Sequence, residues 1–123
     1  LAGGVGIGGV LEPPGARPVI IEDDCFIGSR CMIVGGARVR RGSSLAAGVI
    51  LSDSIPVIDA QTGEEVSRGD VPENVLVVQA SRARTFPGGE FGLPCALIIK
   101  HLSGRHEDLG LEDALREHGL SLG

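Results

Sequence analysis

IIEDDCFIGSRCMIVGGARVRRGSSLAAGVIL, residues 20–51, carries a large aliphatic residue at every sixth position: Ile21, Ile27, Ile33, Val39, Leu45 and Leu51. Four residues after each comes a second, smaller position, read as Cys25, Cys31, Ala37, Ser43, Val49 and Ile55. An amphipathic helix would space its apolar residues by three and four, and a two-faced strand by two. Neither template fits. A period of six with one large and one small inward residue fits a triangular coil, in which each hexad is one short strand plus a turn. Three hexads, 18 residues, then close one coil, and successive coils stack at the ~4.8 Å spacing of hydrogen-bonded strands.

Outward from this stretch the series continues forward to Val57 and, across one eight-residue unit, back to Ile7 and Leu1. The coil rule predicts three vertical columns: Leu1, Ile21, Val39 and Val57; Ile7, Ile27 and Leu45; Ile33 and Leu51. The eight-residue unit contains Pro13, Pro14 and Pro18 and reads as a two-residue insertion that projects at a corner, since proline is excluded from a central strand. Small or inward positions before it are Val5 and Leu11. The regular period ends at the polar, turn-rich residues 59–65, so residues 1–62 are assigned to coils and residues 63–123 to a cap, within one domain overall. In the cap, residues 75–78 and 95–99 read as two short buried strands joined by a loop containing Phe86, Pro87, Gly88 and Gly89. Leu111, Ala114, Leu115 and His118 mark one face of a short terminal helix stopping at Gly119. A cap of this kind covers the strand edges that an open last coil would expose.

Composition agrees with a turn-dense all-β solenoid. Of 123 residues, 42% are hydrophobic, yet the only aromatics are three Phe, so the interior is aliphatic. Twenty Gly without a three-residue period call for tight turns rather than a collagen-like chain. A net charge of −5 gives no basic field for nucleic acid or an anionic membrane, and no apolar run approaches the ~20 residues of a membrane helix. Cys25, Cys31 and Cys95 are too few and too scattered for a disulfide scaffold or a CxxC zinc site, and read as reduced core residues in a cytoplasmic protein. His101, His106 and His118 all lie beyond the repeats, which argues against a zinc site on the coils and against a coil histidine as general base; they read as surface or helix-end residues. No metal site is expected. Leu1 stands where an initiator Met would be, so the chain reads as a fragment lacking preceding coils and a preceding domain.

The strings GGVGIGGVLEP, residues 3–13, and IIEDDCFIG, residues 20–28, resemble the corresponding segments of tetrahydrodipicolinate N-succinyltransferases. So do IDAQTGE at 58–64, GDVP at 69–72 and LPCALIIK at 93–100, in the same order. The resemblance implies the C-terminal part of a hexapeptide-repeat acyltransferase: a left-handed parallel β-helix with a short C-terminal strand and helix cap. It further implies a cytoplasmic homotrimer of diaminopimelate and lysine biosynthesis, with an active site between neighbouring subunits. The reaction moves succinyl from succinyl-CoA, a co-substrate rather than a bound cofactor, to the amine of ring-opened tetrahydrodipicolinate. Two rivals remain: an acyltransferase acting on another amine, and a non-catalytic β-helical trimerisation or binding module.

The candidate donor site is the corner following Ile7, Ile27 and Leu45. Gly8-Gly9, Gly28-Ser29 and Ala46-Ala47 are expected to stack there and leave a groove through which a pantetheine arm reaches backbone groups. Arg30 and Lys100 are candidate partners for CoA phosphates or substrate carboxylates. The family relies on carboxylates to handle the amine proton. One of them belongs to a coil that would precede Leu1, and the position of another is Met32 here. Glu12 is the remaining candidate, while Glu22, Asp23 and Asp24 read as a turn.

Overall fold

The computed structural model describes residues 18–102 and the backbone of residues 6–7. Within that range every regular element is a strand. Two-residue strands recur with the hexad: β1 (Gly6–Ile7), β2 (Ile20–Ile21), β3 (Phe26–Ile27), β4 (Met32–Ile33), β5 (Arg38–Val39), β6 (Ser44–Leu45) and β7 (Ile50–Leu51). After them come β8 (Pro56–Asp59), β9 (Glu65–Arg68), β10 (Asp70–Val71), β11 (Val75–Phe86) and β12 (Gly89–His101).

The short strands stack in parallel as three columns: β1-β4-β7, β2-β5-β10 and β3-β6-β11. Strands this short cannot pair within a coil, so their hydrogen bonds run between coils. Ile20 N–H donates to Ala37 C=O at 3.0 Å, Glu22 N–H to Val39 C=O at 2.9 Å, and Arg40 N–H to Val71 C=O at 3.0 Å. Ile27 and Leu45 are vertical neighbours with both side chains buried, as the 18-residue period requires. Cys31, Ala37, Ser43 and Val49 occupy the small inward positions, fully buried. The Ser43 hydroxyl is satisfied there, donating to Pro72 C=O and accepting from Val75 N–H.

Each hexad turns through a residue three places after the large aliphatic. Asp24, Arg30, Gly36, Gly42 and Gly48 all have positive φ. At Gly42 a side chain is excluded twice over, because its φ is +75° and a Cβ would collide with the Asn74 side chain.

Two column assignments differ from the sequence expectation. Ile7 lies beside Ile33, not Ile27. The step from Ile7 to Ile33 spans 26 residues against 18 from Ile33 to Leu51, so the surplus before Ile21 is eight residues rather than two. Equally spaced aliphatics cannot reveal how many hexads a gap replaces. Val57 likewise does not continue the Ile21–Val39 column, which is completed by Val71. After Leu51 the chain leaves the coil as the antiparallel pair β8–β9, and β10 restores the column. Asp59 shapes the β8–β9 turn: its carboxylate accepts from Gln61 N–H at 2.9 Å and its C=O accepts from Gly63 N–H at 2.7 Å.

The cap also departs from expectation. The two short strands and loop are a hairpin of 12- and 13-residue strands joined by Pro87 and Gly88. Its base lies on β6 through β11 and on β8 through β12. Ala96, Ile98 and Val57 thereby close the same core that contains Ile27, Ile33, Val39, Leu45 and Leu51. Beyond Ala80 the hairpin becomes an arm whose residues 81–94 are exposed. The expected terminal helix, with Leu111, Ala114, Leu115 and His118, lies outside the described residues, as do Leu1, Val5, Gly8, Gly9, Leu11, Glu12, residues 13–17 and His106.

Candidate functional site

The corner after the third column is built from Gly28-Ser29-Arg30 on one coil and Ala46-Ala47-Gly48 on the next. Gly28 N–H donates to Leu45 C=O, Ala46 N–H to Val77 C=O and Gly48 N–H to Ser29 C=O, each at 2.8 Å. These bonds hold the two turns one strand spacing apart. On the coil above, β11 runs straight on through Val78 and Gln79 instead of turning.

The structure divides the small residues of this corner into two groups. Gly28 is buried, and Ala46 is 2% exposed, packed with Leu76, Val78 and Leu102 in a second apolar cluster outside the coil. Ser29 and Ala47 are partly exposed, Arg30 is exposed, and a Cβ on Gly48 would meet nothing within 4 Å. The accessible strip is therefore Ser29, Arg30, Ala47 and Gly48. Gly8 and Gly9 lie outside the described residues, and because Ile7 is in register with Ile33, they follow a different column from Gly28 and Ala46.

Arg30 turns the chain with φ 60°, a conformation that costs an ordinary side chain roughly 1 kcal/mol and that Gly would adopt freely. Lys100 sits on β12 opposite Leu76, and Leu76 lies opposite Ser44, whose other neighbour is Phe26. Lys100 thus shares a six-stranded sheet with β3 and β6, the strands that precede Gly28 and Ala46, and lies two strands away from β6.

Sequence reading passed over Gln79, whose side-chain Oε1 accepts from Ile50 N–H at 2.8 Å and so closes the upper edge of β7. It also passed over the ion pairs on the outer face of the second column. Arg38 binds Glu22, and Arg40 binds both oxygens of Asp70 at 2.8 Å. Glu22 is held below the usual carboxylate range chiefly by Arg38, and Asp70 chiefly by its hydrogen bonds from Arg40. Glu22 is thus an acceptor for its neighbours as well as the residue before the Asp23–Asp24 turn. With partners 16 and 30 residues apart, no local pattern announces these pairs.

Met32 points outward and is 44% exposed, next to Ile50 at 45%. His101 is exposed at the end of β12, where its Nε2 lies 3.0 Å from Asp59 Oδ2. All three cysteines are free, and burial pushes each thiol up, so none is activated as a thiolate nucleophile. Among the described residues no group of three or more His, Cys, Asp or Glu is placed to hold a metal ion, and no helix is long and apolar enough to cross a membrane.

Comparison with known proteins bears on this geometry. Residues 18–53 match a sequence model of the hexapeptide repeat of succinyl-transferase, the region of β2 to β7. A 2,3,4,5-tetrahydropyridine-2,6-dicarboxylate N-succinyltransferase of Bartonella henselae is 46% identical over 121 residues, covering 95% of this chain and 43% of that protein. The enzymes of that name from Mesorhizobium japonicum and Rhodopseudomonas palustris are 49% and 50% identical over 108 residues, covering 85% of this chain and 38% of each relative. The chain therefore spans well under half the length of the curated relatives it matches. By sequence, this segment is similar to part of the 2,3,4,5-tetrahydropyridine-2,6-dicarboxylate N-succinyltransferases.

Proposed function

We propose that the protein containing this chain is a CoA-dependent N-acyltransferase that moves succinyl from succinyl-CoA to tetrahydrodipicolinate in diaminopimelate and lysine biosynthesis. The observation that carries the reading is the identity of 46% across nearly the whole chain to an enzyme named for that reaction. In this reading the coils wind left-handed, and the division near residue 62 separates the regular hexads from a C-terminal cap that also supplies β10 and the start of β11 to the coil columns. The protein works in the cytoplasm as a homotrimer, with the reaction at subunit boundaries. Nucleic acid and membrane play no part.

The donor lies along the third-column corner. Ser29 and Ala47 leave room for the pantetheine arm, Gly28 and Ala46 form the packed wall behind it, and Arg30 and Lys100 supply positive charge for phosphates or carboxylates. Small side chains permit the backbone approach that an amide-bearing arm needs, and the strained backbone of Arg30 is consistent with a functional position. Gly8 and Gly9 remain candidates for the donor site by sequence alone, and Glu12 is the candidate for accepting the amine proton. Deprotonating the amine raises the rate of attack on the thioester carbonyl, and donors placed at the developing oxyanion lower the barrier.

The non-catalytic module remains the second reading, favoured by Met32 and Ile50 standing side by side as an exposed apolar pair. The deciding experiment is calorimetric titration of CoA into the full-length protein and its Ala47→Leu variant. Blocking the strip should weaken binding by about tenfold or more, while thermal stability changes by less than about 1 kcal/mol. Equal affinity would place the donor elsewhere, and no CoA binding by the wild type would favour the module.

A further inference from the structure

A cleft of ≈ 320 Å³ opens where the base of the hairpin arm meets the β8–β9 pair, and three of its lining residues are Arg68, Arg82 and Arg84. The placement follows from the strand pattern. Arg82 and Arg84 are two residues apart on β11 and so project from the same face. Arg68 ends β9, opposite Pro56 on β8. Ile55, Pro56 and Leu93 give the cleft an apolar floor.

Within this group one carboxylate oxygen gathers two guanidinium groups. Glu65 Oε1 accepts from Arg68 at 3.2 Å and from Arg82 at 3.5 Å. Arg84 is placed over the Phe86 ring, 5.5 Å from its centroid, which leaves the edge of its guanidinium able to donate. Three arginines thus line the cleft, two of them sharing the neighbouring Glu65 carboxylate, in a chain whose net charge is −5. Arginine forks match phosphate oxygens in pairs, and an apolar floor strengthens the attraction by excluding water.

We propose that this cleft is a binding site for a phosphate-class dianion, with the Glu65 carboxylate occupying part of the place that the ligand's oxygens take. The site is separate from the Ser29–Ala47 strip, and the inference does not rest on acyl transfer. Binding swings Arg68 and Arg82 from Glu65 to the incoming oxygens and adds Arg84 as the third donor. The affinity falls as ionic strength rises, because the three side chains are at the surface.

The test titrates pyrophosphate into the full-length protein at low ionic strength, with Arg82→Gln/Arg84→Gln and Glu65→Gln as variants. The double variant should bind at least about tenfold more weakly. Glu65→Gln removes the internal competitor and should bind several-fold more tightly, a gain that no folding defect can imitate. Displacement of pyrophosphate by adenosine 3′,5′-bisphosphate names a nucleotide as the natural source of the phosphate, and retention names a free anion. Unchanged affinity in the double variant, or weakened affinity in Glu65→Gln, overturns the proposal.

Discussion

Replacing Leu45 with Ala tests the stacked core at its centre. Leu45 is fully buried, with Ile27 on the strand below and Val77 on the strand above, both also inside. The substitution removes three carbons, worth about 2.5 kcal/mol at ~0.8 kcal/mol per buried methylene. A residual cavity adds to this, and the column resists collapse because hydrogen bonds on both sides of the strand fix the spacing: Gly28 N–H to Leu45 C=O and Ala46 N–H to Val77 C=O, both 2.8 Å. The total should lie near the upper half of the known range for such cavities, about 3–5 kcal/mol, equivalent to a fall in Tm of roughly 12–20 °C. Denaturant and thermal unfolding at one fixed protein concentration provide the assay, since any subunit assembly makes Tm depend on concentration. Val66→Ala on β9 is the matched control, because Val66 is 48% exposed and should cost less than about 1 kcal/mol. A loss at Leu45 no greater than at Val66 would refute the coil as the source of stability.

Arg30→Gly should stabilise the fold by about 1 kcal/mol at most, because it relieves a φ of 60°; it should also weaken CoA binding, and a destabilised variant in chemical denaturation would contradict the turn argument. Gly69→Ala should destabilise by about 2–4 kcal/mol, since a Cβ would meet the Ser52 carbonyl and lie 2.6 Å from Asp53 Cα at φ +69°; an unchanged denaturation midpoint would refute the close approach of the chain before β10 to the turn after β7. Asp70→Asn removes a group whose pKa is lowered in the folded state from 3.8 by Arg40. Wild type should therefore exceed the variant in stability above pH 3.8, with the advantage lost as pH falls through the depressed folded value; a difference that persists in strong acid would assign it to packing instead.

The period of six was sufficient to name the core of the coils, because each inward position has only one neighbour above and one below, both 18 residues away. Ile33 beside Leu51 and Ile27 beside Leu45 follow directly. The rule fails where the chain leaves the solenoid. Val57 and Val71 are both aliphatic and both fully buried, and the choice between them is made by the β8–β9 turn and the pairing of Val57 with Ala96, contacts that hexad spacing does not encode. The strands of the arm were underestimated for a related reason. Residues 81–94 face solvent on both sides, so there is no buried face to impose an alternating pattern, and only their Pro87-Gly88 turn announces a hairpin.

At the donor corner the difficulty is that small residues have more than one cause. Gly48 turns at φ +80°, so the backbone alone accounts for it. Ala46 is sealed beneath Leu76, Val78 and Leu102, so packing alone accounts for that residue. Ala47 has neither constraint: its φ is not positive and it is partly exposed, so a longer side chain would project outward without strain or overpacking. Arg30 departs in the opposite sense, placing a long cation where three of the five hexad turns use Gly. The residues that carry information about the ligand are those that depart from what the coil demands. A groove read from Gly and Ala content alone gives most weight to the residues that the fold already explains, whereas Ala47 and Arg30 are where substitution separates binding from folding.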